Sequence, residues 1–123
     1  MLVGDLGPDT DWRHALPGAE FVIHLSARVH AMRDTAPDPL APARRVNVLG
    51  SLNLASQAAQ AGVKRFVFLS SVKVNGERGV YSEAAPPAPV DAYGISKSEA
   101  ELGLRWLATE TGMEVVIIRS PLV

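Results

Sequence analysis

In the stretch Asp91-Ala92-Tyr93-Gly94-Ile95-Ser96-Lys97 a tyrosine and a lysine stand four residues apart. On a helix that spacing puts both side chains on one face. A free phenol titrates near pH ~10, so it is a poor base at neutral pH. An ammonium close by favours the phenolate and moves the tyrosine toward useful acid–base chemistry. Taken alone, the pair reads more readily as an amphipathic tyrosine at a helix start followed by a solvated lysine. Hydroxyls upstream change that balance. Lys64-Arg65-Phe66-Val67-Phe68-Leu69-Ser70-Ser71 is an apolar run ending in two serines, the pattern of a buried parallel strand. Open α/β sheets gather ligands at the carboxyl ends of their strands. A serine hydroxyl there can hydrogen-bond a substrate oxygen that the Tyr93 phenol also reaches.

The elements that must position these groups follow from periodicity and punctuation. Met1-Leu2-Val3 reads as the tail of a strand, and Asp9 to Leu16 as a short helix stopped by Pro17-Gly18. Phe21-Val22-Ile23-His24-Leu25 is a second buried strand; its histidine reads first as a satisfied core residue. Arg28 through Pro42, with three prolines, reads as a loop near the rim of a site. A helix follows over about 43–61, with Val46, Leu49, Ala55, Ala58 and Ala59 as its apolar face and Gly62 as its stop. Gly50 within it costs about 1 kcal/mol relative to alanine, which points to close packing against the sheet. A proline-rich loop over 84–89 precedes the helix opened by Tyr93, which runs to about Thr111 and stops at Gly112. Ala100, Leu104 and Leu107 form its inner face; Glu99, Glu101, Arg105 and Glu110 read as its solvated face. Glu114 to Arg119, with four consecutive β-branched residues, is the last strand. Strands alternate with helices throughout, the order of a doubly wound parallel α/β sheet.

Six segments together resemble the extended short-chain dehydrogenase/reductases, in their nucleotide-sugar epimerase/dehydratase branch. They are Gly4-Asp5-Leu6, Val22-Ile23-His24-Leu25-Ser26-Ala27, Asn47-Val48-Leu49-Gly50-Ser51, Phe68-Leu69-Ser70-Ser71, Tyr93-Gly94-Ile95-Ser96-Lys97 and Ile118-Arg119-Ser120-Pro121. They occur in the family's order over essentially the whole chain. The resemblance implies a Rossmann-type domain over residues 1–123 and NAD as cofactor, with NADP the alternative. It implies catalysis by Ser71, Tyr93 and Lys97, with Ser71 and Tyr93 also holding substrate. Cofactor contacts carried over by position are Asp5 and Leu6 at the adenine, Leu25, Ser26 and Ala27 at the next strand end, then Asn47, Tyr93, Lys97 and Pro121. Locally, Asp5 also reads as a turn residue before Gly7-Pro8-Asp9, and Asn47 also reads as a structural residue bonding nearby backbone.

The expected reaction is hydride transfer at sugar C4 by an NAD-dependent epimerase or 4-keto reductase acting on a nucleotide sugar, UDP-linked by preference. The dehydratase branch follows its strand-end hydroxyl with Asp-Glu; Val72-Lys73 stand there here, which disfavours dehydration. The tyrosine that the family commonly places before the glycine is Asn75 in this chain. The stretch Ser70 to Glu77 fits sugars of bacterial surface polysaccharides. Pairing of the helices at 43–61 and 93–111 with their copies implies a homodimer for the complete enzyme. The other reading is a non-catalytic dinucleotide-binding or regulatory relative, or an inactive truncated product.

Composition narrows the remaining classes. A chain of 123 residues with 47% hydrophobic residues, 20% charged and a net charge of −1 makes one small domain and has no electrostatic case for nucleic acid. The sequence holds no cysteine, which excludes disulfides and thiolate metal sites. Three scattered histidines, His14, His24 and His30, show no ligand spacing for a metal. No apolar run approaches the ~20 residues of a membrane span, and the N-terminus lacks the pattern of a signal peptide; a cytoplasmic location is the default.

No glycine-rich phosphate loop of the form Gly-x-Gly-x-x-Gly occurs in the sequence. The sheet is therefore expected to lack its first βαβ unit, and the chain to lack the carboxyl-terminal substrate region, as an internal piece of a longer enzyme. That leaves an unpaired strand edge beside the strand at 21–26.

Overall fold

The computed structural model describes residues 6–25, 40–76, 87–89 and 91–121. Among these, three parallel strands form one sheet in the order β1 (Phe21–His24), β2 (Arg65–Ser71), β3 (Glu114–Ser120). Phe21 pairs with Arg65 and His24 with Phe68, while Arg65 pairs with Glu114 and Ser71 with Ser120. The two crossovers are helical. The first holds α1 (Leu40–Ala43), a π-helical stretch (Arg44–Gly50) and α2 (Ser51–Gln60), and the second holds α3 (Ala92–Thr111). A 3₁₀ turn (Val72–Asn75) leaves the end of β2. This is the α/β, parallel Rossmann-type arrangement expected from the alternation of strand and helix patterns.

The core lies between the sheet and the helices. Phe66 and Phe68 of β2 are fully buried against Leu54, Ala55 and Ala58 of α2 and Ala100 and Leu104 of α3. Alternation along β1 turns Phe21 and Ile23 to the opposite face, where they are 57% and 66% exposed. The strand at 21–25 is therefore buried on one face only, and β1 is an edge strand among the described residues. The strand stub expected at 1–3 lies outside those residues.

Three elements differ from expectation. Asp9 to Leu16 is a series of turns, with Ala15 and Leu16 N–H both donating to the Trp12 carbonyl. Side chains of α2 serve this segment's backbone: Asn53 Nδ2 donates to the Gly7 and Thr10 carbonyls, and Gln57 Oε1 accepts from Trp12 N–H. Pro42 lies inside α1 instead of ending a loop; in a helix's first turn the N–H that proline lacks has no intrahelical partner to lose. Gly50 packs against the chain at Gly7, whose Cα and N a Cβ would meet at 3.4 Å, and not against the sheet.

Helix α3 is well terminated. The Asp91 carboxylate accepts from Gly94 N–H at 2.7 Å to cap its start, and Gly112, at φ 77°, closes it in the left-handed conformation.

Candidate active site

The site is built where β2 ends and α3 begins. Ser71 closes β2 and is 5% exposed; its Oγ accepts from Lys73 N–H at 3.2 Å, which starts the 3₁₀ turn. That turn brings the Lys73 carbonyl so near Gly94 that a Cβ there would lie 2.7 Å from the oxygen. The Lys73 ammonium donates to Asp91 Oδ2 at 2.7 Å. One carboxylate thus caps the helix with one oxygen and pairs with a lysine from the strand end with the other. Tyr93, two residues on, is held half-buried at the junction.

Lys97 lies one turn further along α3 and is 1% exposed. Its Nζ donates to the Leu69 carbonyl of β2 at 2.8 Å and stands 4.4 Å from the Phe68 ring centroid and 5.9 Å from that of Tyr93. Burial pulls its pKa down to about 8, and the Glu101 carboxylate opposes that shift. The Tyr93 phenol stands above its ordinary value, because burial outweighs the favourable charge of Lys73; Asp91 raises it further. The Lys97 ammonium donates to a strand carbonyl while facing the Tyr93 ring, and Lys73 adds a second cation that favours the phenolate.

A brace links the two crossovers beneath the tyrosine. Asn47, fully buried in the π-helical stretch, donates through Nδ2 to Ser96 Oγ at 2.9 Å, and Ser96 Oγ donates to the Tyr93 carbonyl at 2.8 Å. The wider turn of a π-helix at such a point recurs at functional sites. His24 is the satisfied core histidine expected: its Nε2 lies 2.9 Å from Ser51 Oγ, and burial drops its pKa to about 4.

The paired serines take different partners, Ser71 within the strand-end turn and Ser70 on the helix. Ser70 turns to the helix side and donates to Glu101 Oε2 at 2.6 Å. Glu101, expected on the solvated face of α3, is 2% exposed and paired in two-pronged fashion with Arg119 of β3 at 2.8 and 3.2 Å. The cause of that burial is Arg119, a cation supplied from β3. The signal available in the sequence was position, since Glu101 repeats the four-residue spacing that joins Tyr93 to Lys97.

The residues carried over for a cofactor are distributed unevenly. Asp5, Ser26 and Ala27 lie outside the described residues. Leu6 is half-buried, Leu25 is 63% exposed at the end of β1, and Pro121 is exposed just after β3. Leu25 and Pro121 follow the carboxyl ends of their strands, the edge at which Ser71 lies.

Profiles of known families place this architecture. That of the NAD dependent epimerase/dehydratase family matches residues 1–123. The chain belongs to this family. It is 47% identical over 125 residues to a UDP-glucose 4-epimerase of Vibrio cholerae, an alignment that takes in 98% of this chain and 38% of that protein. Among solved structures it resembles a short-chain dehydrogenase/reductase superfamily protein of Agrobacterium tumefaciens with bound NAD, at 34% identity and a TM-score of 0.75, covering 87% of this chain and 33% of that one. A dTDP-glucose 4,6-dehydratase of Streptomyces venezuelae, also solved with NAD, matches at 30% identity and a TM-score of 0.78, with the same coverage of 87% and 33%. The chain thus spans about two-fifths or less of the length of these relatives. Among the described residues no helix is long and apolar enough to cross a membrane.

Proposed function

We propose that this segment carries the proton-transfer site of an NAD-dependent nucleotide-sugar 4-epimerase or 4-keto reductase. The observation that supports this most is the seating of Lys97, a buried ammonium one turn after Tyr93, held to a strand carbonyl two residues before Ser71. A buried lysine carrying a charge is costly, and its position beside a half-buried phenol is the kind of cluster that marks a functional site.

NAD, when bound, supplies the acceptor for the hydrogen that leaves sugar C4 with its electron pair. Leu6 and Leu25 offer apolar surface for such a cofactor, and Lys97 a cation for its ribose hydroxyls. Tyr93, once ionised to its phenolate, takes the proton of the C4 hydroxyl at its Oη and returns to the neutral phenol as the carbon–oxygen bond gains double-bond character. Ser71 orients that oxygen and donates to it as negative charge develops. The electrophilic help falls to Lys97 and Lys73, the cations packed around α3's first turns. Lys73 is tied to Asp91, so it is poorly placed to act as the base of a dehydration, which favours epimerase or reductase over dehydratase. The preferred substrate class is a UDP-hexose.

The outer faces of α2 and α3 support a homodimer in the complete enzyme. Leu102 and Trp106 are 60% and 63% exposed on α3, and Leu49, which the sequence placed on the inner face, is 49% exposed in the π-helical stretch before α2. These large apolar side chains gain from burial against a second copy.

The test is steady-state turnover of a UDP-hexose with NAD by a protein that carries this segment. Tyr93→Phe should lower kcat by the ~10²-fold or more that follows loss of general acid–base catalysis, with the fold unchanged. Near-normal turnover would remove Tyr93 from the mechanism.

A further inference from the structure

We propose that Glu101, through Arg119, is a positioning residue for the Tyr93/Lys97 pair: its carboxylate fixes α3 against the carboxyl ends of β2 and β3 and is the countercharge of the buried Lys97 ammonium. The inference rests on the reading of Tyr93 and Lys97 as the proton-transfer pair.

Carboxylates are almost never fully buried unless paired, and Glu101 is 2% exposed with its bonds converging from three elements. From β2, Ser70 Oγ donates at 2.6 Å; from β3, Arg119 Nε and Nη2 donate at 3.2 and 2.8 Å; from the next turn of α3, Arg105 Nη2 stands at 3.5 Å. Arg119 reaches on through Nη1 to Asn75 Oδ1 at 3.4 Å, in the turn that follows β2. Ser70 immediately precedes Ser71 and Asn75 closes the turn that Ser71 starts. The strand-end serine is therefore bracketed on both sides by groups that answer to Glu101. Tyr93, Lys97 and Glu101 follow one another at four-residue steps on α3, so a carboxylate that sets the helix against the sheet also sets the height of the lysine and the phenol. Buried ion pairs add little net stability over apolar residues of equal volume; direction and charge are what this one contributes.

The charge acts on Lys97 with a definite sign. The groups facing Lys97 are Tyr93 and Glu101 from α3, His24 from β1, the Leu69 carbonyl and Phe68 ring from β2, and, beyond Glu101, Arg119 from β3. The phenol is neutral near pH 7, and His24 is neutral there because burial drops its pKa to about 4. Glu101 is thus the anion that favours the protonated amine against burial, and removing its charge releases the proton at lower pH.

The experiment reads Lys97 directly, by titrating its ε-carbon resonance in a ¹³C-lysine-labelled complete enzyme that carries this segment, beside the pH profile of kcat with UDP-hexose and NAD. Glu101→Gln is expected to move the Lys97 titration down by about one pH unit or more, to move the alkaline limb of kcat with it, and to leave KM within twofold; Glu101→Asp should restore part of both. Ser70→Ala, a mild change that strips one donor from the carboxylate and leaves its charge, covers the case in which Glu101→Gln does not fold, and should move the titration upward. An unmoved Lys97 titration in Glu101→Gln, or in Ser70→Ala where only that variant folds, overturns the inference. So does a turnover loss that tracks only the unfolded fraction while the pH profile stays put. A Lys97 titration that shifts between parent and variant when the parent itself shows no turnover would uphold the countercharge and refute the proposed reaction instead.

Discussion

Gly94 and Gly103 lie on the same helix, and alanine at each should have opposite consequences. A Cβ at Gly94 would stand 2.7 Å from the Lys73 carbonyl oxygen, 3.2 Å from its carbon and 3.0 Å from Asp91 Oδ1. Ordinary carbon–oxygen contacts begin near 3.3 Å, so about 0.6 Å must come from the strand-end turn or from α3 itself. Neither is a flexible side-chain tip. The turn is anchored by Ser71 and Lys73, and the displaced carboxylate is the one that caps the helix. Overpacking of this kind costs about 1–3 kcal/mol and a weakened cap about 1 kcal/mol, against a gain of about 1 kcal/mol for alanine over glycine in a helix. Gly94→Ala should therefore lose about 1–3 kcal/mol. At Gly103 the clash is equally short, 2.7 and 2.8 Å to Leu52 Cδ2 and Cδ1, but softer, because a leucine tip can change rotamer for about 0.5–1.5 kcal/mol. That roughly cancels the same gain, so Gly103→Ala should stay within about 1 kcal/mol of the parent. Equilibrium urea unfolding with matched m-values measures both. Equal losses at the two glycines, or a Gly94→Ala protein as stable as the parent, would refute the assignment of the Lys73–Asp91–Gly94 junction as a rigid seat for Tyr93.

Acid stability should carry a histidine step. His24 is 6% exposed and drops from 6.5 to about 4 on folding, so the unfolded chain takes up the proton first as pH falls; stability is full above pH ~6.5 and declines toward pH ~4 by about 3 kcal/mol. Urea midpoints across that range should flatten in His24→Gln, and an unchanged slope would show that the ring is not held neutral. Isothermal titration of the 123-residue chain with NAD and NADP should give no useful affinity, since the sequence contains no glycine-rich loop to present backbone N–H groups to a pyrophosphate; a low micromolar constant would contradict this. Sedimentation of a complete enzyme carrying this segment should show a dimer at micromolar concentration, and Trp106→Glu should shift it toward monomer; a strict monomer in the parent would count against the helix pairing.

What could be read from the sequence divides along a physical line. Local signals held: Asp91 and Gly112 bound α3 as cap and stop, β2 and β3 lie where apolar runs placed them, and Lys97, one turn after Tyr93, reaches β2 at the Leu69 carbonyl. What was hidden depends on partners distant in the chain. The segment over 9–16 has a helical pattern, yet Asn53 and Gln57 satisfy its backbone from α2, and a run of turns results. Glu101 looks solvated by type and is buried because Arg119 comes to it from β3. Ser70 and Ser71 are indistinguishable as adjacent serines, and only the alternation of the strand sends one to Glu101 and leaves the other at the edge.

The electrostatics of the site also differ from what spacing alone implies. Burial opposes charge on both members of the Tyr93/Lys97 pair, raising the phenol and lowering the amine to about 8. A lysine at that value still carries its proton through most of the neutral range, so the pair rests as neutral phenol and ammonium. Proton abstraction then needs positive charge near the phenol beyond what Lys97 provides from beneath Phe68. Lys73 supplies part of it, and its pairing with Asp91 limits how much. In the proposed reaction a single ammonium just after β2 thus favours the phenolate, and its ion pair with Asp91 keeps it from serving as the base of an elimination.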